Sequence, residues 1–260
     1  MQLNYQETGE GKPMVILHGL FGSLDNWRTL ARVFSDHFRV ISVDQRNHGK
    51  SPHSDEMNYP AMADDLAELV DHLGLNEIVL VGHSMGGKTA MQFAVQYPAL
   101  LADLIVVDMS PQAYPPQHKD IIAALERVPI NTVSSREQVD EHLAESIPQP
   151  AIRQFLMKGL KRLPGNRFAW KFNLDVLSAK YDNILVAIEP EQRVQVPALF
   201  LGGERSPYLK QVSVQELRQL FPQAELDFVP RAGHWVHAEA PKAFAEKIGE
   251  RLGVHFSFPG

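Results

Sequence analysis

The chain has 260 residues, with 25 Lys+Arg against 31 Asp+Glu and a formal net charge of −6. That length suffices for one α/β domain carrying an insertion, and such a core needs no covalent staples. The absence of cysteine excludes disulfides, thiolate metal sites and a Cys nucleophile, and the acidic balance argues against a nucleic-acid partner.

No run of about 18 apolar residues occurs, so no membrane partner is expected. The start, Met1-Gln2-Leu3-Asn4-Tyr5-Gln6-Glu7, lacks the basic-then-apolar pattern of a signal peptide, and a cytoplasmic location is the expectation. The first candidate strand, near Leu3–Thr8, is expected to pair antiparallel with the next. That next strand, Val15-Ile16-Leu17, ends at His18-Gly19, and Phe38–Val43 ends at Asp44. Met62, Leu66, Leu69, Val70 and Leu73 then fall on one helical face, with Pro60 ahead of them and Gly74 just beyond. Ile78–Val81 runs into Gly82, an amphipathic segment follows over Lys88–Tyr97, and Leu104–Val107 ends at Asp108.

The rhythm stops between Pro111 and Val196. This stretch holds Pro115-Pro116, polar helix-like segments and an aromatic patch over Phe168–Phe172, without a clear buried parallel strand. It predicts a mainly helical insertion over the strand ends, where open α/β sheets bind ligands. Ala198–Leu201 then runs into Gly202-Gly203, Leu226–Val229 forms another apolar strand, and Phe244, Ile248 and Leu252 make a last helical stripe. Short, nearly continuous apolar runs suit buried parallel strands, and their alternation with helices predicts a mostly parallel sheet covered on both faces.

Gly82-His83-Ser84-Met85-Gly86 matches G-x-S-x-G at a strand-to-helix turn, the context of a nucleophile elbow. Glycines at 82, 86 and 87 remove side chains that would collide in so tight a turn. Ser84 is therefore the candidate nucleophile. The oxyanion donors are assigned to the amide after it, Met85, and to Leu20 in the loop after the Val15 strand, with Phe21 second. Eleven histidines are present, and position selects among them. His234 follows an apolar strand late in the chain, as the order nucleophile, acid, base requires; His237 is the runner-up. His18, His48 and His83 also sit at strand exits but precede Ser84.

The elbow, His18-Gly19, the run Asp44–Ser51 and Gly233-His234 together resemble the α/β-hydrolase superfamily over nearly the whole chain. Within it the chain is similar to the YbfF-type bacterial esterases. That likeness rests on His18–Asn26, Arg46–Gly49, Gly82–Lys88, Gly202-Gly203 with Ser206-Pro207-Tyr208, and Gly233–His237. Many superfamily members place the acid shortly after a Gly at the end of the penultimate strand. Here Gly202-Gly203-Glu204-Arg205-Ser206-Pro207-Tyr208 holds no aspartate. Asp108, at the end of the preceding strand, is the assigned acid, and Glu204 is the alternative.

The resemblance implies an α/β-hydrolase fold with a mostly parallel, roughly eight-stranded sheet flanked by helices. Its core spans 1–110 and 196–260, with a helical cap over 111–195. It also implies a short-acyl esterase, with thioester hydrolysis in the subgroup, and a small-molecule ester or thioester as the partner. The rivals are an acyl-CoA thioesterase, a lyase or C–C hydrolase on the same triad, and a protein that keeps the triad as a ligand sensor. Phe21, Asn26, Trp170, Phe172 and Trp235 are the expected pocket residues, and Asp44–Gly49 is expected to brace the loops around the site. No metal-protease, EF-hand or Walker pattern is present, so no metal and no cofactor is expected.

Overall fold

The computed structural model describes residues 1–258. Its strands are β1 (Tyr5–Thr8), β2 (Lys12–Leu17), β3 (Phe38–Val43), β4 (Ile78–His83), β5 (Leu101–Val107), β6 (Leu160–Leu163), β7 (Arg167–Trp170), β8 (Ala198–Gly203) and β9 (Ala224–Val229). Seven of them form one sheet in the order β1-β3-β2-β4-β5-β8-β9, parallel except for β1.

Side chains alternate across a strand, and each central strand here is apolar on both faces. Met14 and Ile16 of β2 join Val79, Val81, Ile105 and Val107 in one cluster, covered by Arg28–Phe34 and Pro241–Leu252. Val15 and Leu17 point the other way, with Leu80, Leu104 and Val106, toward Tyr59–His72 and Met85–Gln96. The Asn58 side chain caps the first of those two helices by accepting from Ala61 N–H at 2.9 Å.

Two sequence expectations are corrected. The main sheet has seven strands rather than eight, because the residues before Tyr5 spend their backbone groups on loops. Asn4 N–H donates to Ser51 Oγ at 2.8 Å, and its carbonyl accepts from Asp44 N–H at 2.9 Å. In addition, β1 pairs with β3, not with β2, in the register Tyr5↔Val43. Both edges of β2 are already taken, by β3 on one side and β4 on the other.

Between β5 and β8 the chain forms helices Lys119–Arg127, Arg136–Ala144, Pro150–Met157 and Leu174–Ala179. It also forms an antiparallel β6–β7 hairpin that periodicity did not reveal. The aromatic patch falls partly in β7, and the hairpin turns at Gly165, whose φ of 74° suits glycine. Apolar side chains of this insertion, such as Ile122, Leu125 and Val139, join the same cluster as Val15 and Leu17.

Lys88, on the helix Met85–Gln96, ties both ends of the insertion down. Its buried ammonium donates to Pro111 O at 3.0 Å, Gln112 O at 2.5 Å and Val186 O at 2.8 Å. Burial pushes the amine down to about 7, while three converging carbonyls favour its three-donor, charged form. Lys88→Met removes the tie and strands three carbonyls, each costing about 1–3 kcal/mol if left unpaired. Thermal unfolding is expected at lower temperature, with limited proteolysis opening new cleavage sites in 111–195. An unchanged Tm and cleavage pattern would refute the tie.

Candidate active site

At the end of β4 the chain must reverse into a helix within one residue. Ser84 makes that turn with φ 54° and ψ −117°, a conformation rare for a residue with a side chain. The turn closes only because its flanks are bare. A Cβ on Gly86 would meet the carbonyls of His18 at 2.6 Å and Leu17 at 2.7 Å, and one on Gly82 would strike the Gly86 backbone. Ser84 thereby stands at the start of helix Met85–Gln96, above the parallel strands.

His234 Nε2 lies 3.1 Å from Ser84 Oγ, and its Nδ1 lies 2.7 Å from Asp108 Oδ2. Asp108 is fully buried at the end of β5. Its Oδ1 accepts from Gly203 N–H at 3.0 Å, and its Oδ2 also accepts from the Ser206 hydroxyl. Gly203 matters twice here. It donates to Asp108, and its missing side chain lets the Ala232–Gly233 backbone lie against it, since a Cβ there would strike Gly233 O. That close approach brings the His234 loop to Asp108. His83 holds the same loop from below, donating from Nε2 to His234 O at 2.9 Å.

The alternative acid and base are elsewhere. Glu204 is exposed, and its carboxylate accepts from Arg231 N–H at 2.7 Å. His237 is buried and stacks on Trp27, with ring centroids 4.3 Å apart. His18 and His48 act as scaffolding. Gln45 N–H donates to His18 Nε2 at 3.1 Å, and Phe21 N–H donates to His48 Nε2 at 3.2 Å. Desolvation pushes His18 down to about 4 and both His48 and His237 to about 3.

The bond to His48 occupies the Phe21 amide. The loop's other internal bond runs from Gly22 N–H to Gly19 O at 3.0 Å, so neither uses the Leu20 amide. Met85 is the first residue of its helix, where a backbone N–H has no acceptor within the helix. Asp44 accepts from Leu24 N–H at 2.8 Å, Lys50 N–H at 2.9 Å and Asn4 Nδ2 at 2.7 Å. It thus pins the segment just after the Leu20 loop.

A cavity offering about 40 Å3 to solvent adjoins Ser84. Leu20, Met85 and Met109 line it together with Tyr59, Tyr114, His118, Tyr181 and Tyr208. None of the five expected pocket residues lines it. Phe21 and Phe172 are buried against each other at 5.2 Å, and Trp170 stacks on Phe172 at 5.3 Å. Asn26 accepts from Ser23 N–H at 2.7 Å in a capping box, and Trp235 packs on Phe155 at 5.4 Å. Sequence reasoning missed Ser206 and Tyr208 as site neighbours, although both stand in the Ser206-Pro207-Tyr208 motif. The Tyr208 ring stacks on His234 at 4.2 Å.

The sequence model of the alpha/beta hydrolase fold matches residues 12–241. The chain belongs to the α/β-hydrolase family. Among its relatives, the sn-1-specific diacylglycerol lipase ABHD11 of Xenopus tropicalis is 40% identical, over 94% of this chain and 79% of that protein. Esterase YbfF of Escherichia coli is 37% identical over 95% of each chain. Among solved structures, a marine microorganism esterase superposes with a TM-score of 0.93 at 40% identity, covering 96% of this chain and 98% of its own. The YbfF-type resemblance is thus shown. No helix among the described residues of this α/β-hydrolase is long and apolar enough to cross a membrane.

The buried histidines make stability depend on pH in a definite direction. Each is neutral in the folded state down to about pH 4 or about pH 3, whereas in the unfolded chain it binds a proton below about pH 6.5. Stability is therefore fully present above pH 6.5 and is lost as pH falls toward the folded values. At pH 5 the loss is about 2 kcal/mol for each of His18, His48 and His237. Thermal unfolding followed from pH 8 to pH 5 should show a Tm that begins to drop near pH 6.5. His237→Gln should flatten that slope, and an equal slope would count against the assignment.

Proposed function

We propose that this α/β-hydrolase is a serine carboxylesterase that cleaves short-acyl esters through an acyl-serine. Its esterase and lipase relatives support hydrolysis of the carboxylic-ester kind. The observation that carries the reading is the unbroken line Asp108–His234–Ser84, at 2.7 and 3.1 Å, opening on a cavity.

In this mechanism the Ser84 oxygen attacks the ester carbonyl as His234 Nε2 takes its proton. Asp108 holds His234 with Nδ1 protonated, so that Nε2 is the accepting atom, and it stabilises the imidazolium that forms. The amides of Leu20 and Met85 receive the oxyanion. Donors fixed in this way contribute about 3–4 kcal/mol each without reorganising. Collapse expels the alcohol, which takes the proton from His234. Water, deprotonated by the same nitrogen, then releases the acid and restores Ser84.

The short-acyl preference is what the resemblance to the YbfF-type esterases implies, and the cavity beside Ser84, with about 40 Å3 open to solvent, is in keeping with it. In this reading residues 1–110 and 196–260 supply the triad, and 111–195 is a cap that closes the pocket. Six of the lining residues, Tyr114, Pro115, His118, Tyr181, Ile184 and Leu185, come from that segment.

The test is kcat/KM for p-nitrophenyl esters of two to sixteen acyl carbons, beside acyl-CoA substrates. We expect a short-chain optimum, no turnover by Ser84→Ala, a loss on the order of 10³–10⁴ in Asp108→Asn and little change in Glu204→Gln. Faster turnover of acyl-CoA than of esters would make the protein a thioesterase. Equal rates for wild type and Ser84→Ala on every substrate would end the hydrolase reading and favour a ligand sensor.

A further inference from the structure

One polar group in the cavity wall is left unused by the reaction above. His118 stands just ahead of helix Lys119–Arg127 and lines the same cavity as Ser84. Its main-chain N–H and its ring Nδ1 both lie 2.9 Å from the hydroxyl of buried Tyr181. The main-chain N–H can only donate, so the Tyr181 oxygen accepts from it. Where the hydroxyl proton goes to Nδ1, that nitrogen is bare and Nε2 carries the hydrogen. In that tautomer His118 has an N–H donor to offer in a lining it shares with apolar Leu20, Met109 and Ile184 and with Tyr59, Tyr114 and Tyr208.

We propose that His118 is a specificity-determining residue, whose Nε2–H donates to an uncharged acceptor oxygen carried by the substrate beyond the scissile ester. Tyr181 is the positioning residue that sets its tautomer. The preferred substrates are then oxygenated esters, with an ether, hydroxyl or second ester oxygen, rather than plain hydrocarbon ones. The donor is uncharged in use. Burial, reinforced by the nearby His234, pushes His118 down to about 4, so above that pH it offers a hydrogen bond and no cation. An acceptor oxygen placed against it gains the bond, whereas a methylene there leaves a half-buried N–H unpaired.

This inference rests on the esterase reading, and its test separates the two. Two isosteric pairs each exchange one methylene for oxygen. On the acyl side they are p-nitrophenyl methoxyacetate and p-nitrophenyl butyrate; on the alcohol side, 2-methoxyethyl butyrate and n-butyl butyrate. For each pair the ratio of kcat/KM, oxygenated over hydrocarbon, is compared between wild type and variants, which cancels intrinsic reactivity. In His118→Phe one pair's ratio should fall about three- to tenfold, mainly through KM. The pair that responds tells which side of the ester His118 reads. His118→Gln, which can present an amide N–H at the same depth, should restore part of the ratio. Tyr181→Phe, which takes away the hydroxyl on Nδ1, should lower the same ratio.

Equal loss on both members of each pair would assign His118 a structural role and overturn the proposal, as would unchanged ratios in both. If His118→Phe does not fold, His118→Gln and Tyr181→Phe decide it by the same ratios. If wild type turns over no ester, the four esters are titrated against Ser84→Ala with and without His118→Phe, using intrinsic fluorescence. A selective loss of affinity for an oxygenated ester would then uphold His118 while the esterase reading fails, and equal affinities would overturn both.

Discussion

A carboxylate cut off from water has to be met by donors from the protein itself, and at Asp108 that requirement gathers the site. Its two oxygens are served by the Gly203 amide, the Ser206 hydroxyl and His234 Nδ1. Those groups belong to the end of β8, the turn after it and the loop after β9. Each strand end is drawn inward to satisfy the same buried charge. The Asp108 backbone adopts φ 51° to present its side chain there, and its N–H is spent on Leu201 O at 3.0 Å. Replacing any donor would leave the carboxylate short of a partner and free the imidazole to turn.

The histidines near this point divide by environment. His18, His48 and His237 are buried in apolar or ring-lined surroundings that disfavour charge, and in His18 and His48 both ring nitrogens are engaged by the backbone. Such rings are rigid spacers. His234 alone joins a buried carboxylate on one side to a serine hydroxyl on the other, and it keeps some solvent exposure. One residue type thus both frames the site and joins its serine to its carboxylate. What separates the two uses is partner chemistry and access to solvent.

The insertion is bound to the main fold by polar ties as well as by apolar contact. Besides Lys88, the Tyr59 hydroxyl donates to Ile184 O at 2.7 Å, and Asn173 N–H donates to Asn47 O at 2.8 Å. Lys88 lies one turn beyond Ser84 on the same helix, so the element that raises the serine also holds the two ends of the insertion.

Much of this architecture is legible in the residues alone. Apolar runs mark the buried parallel strands because such strands are covered on both faces. Gly82, Gly86 and Gly87 mark the elbow because no side chain fits there. The position of His234 after a late strand is equally local. Strand neighbours are not: β1, Tyr5–Thr8, is mostly polar and has no buried residue, and nothing in it says that β2 lacks a free edge, so neither the strand count nor the β1 pairing can be read from it. The short β6–β7 hairpin has too few residues to show a period. Asp108 and Glu204 both stood open because each follows a strand end, and only the approach of Gly203 to Gly233 puts one of them beside His234. The aromatic residues chosen for the pocket are large and apolar, which makes them good core as readily as good lining; they pack on one another or on cap neighbours. The sequence by itself determined the elements, the elbow and the order of the reactive groups, because these depend on spacing and sterics along a few residues. The tertiary structure decided which carboxylate meets the imidazole and which side chains wall the cavity, because those contacts join residues far apart in the chain.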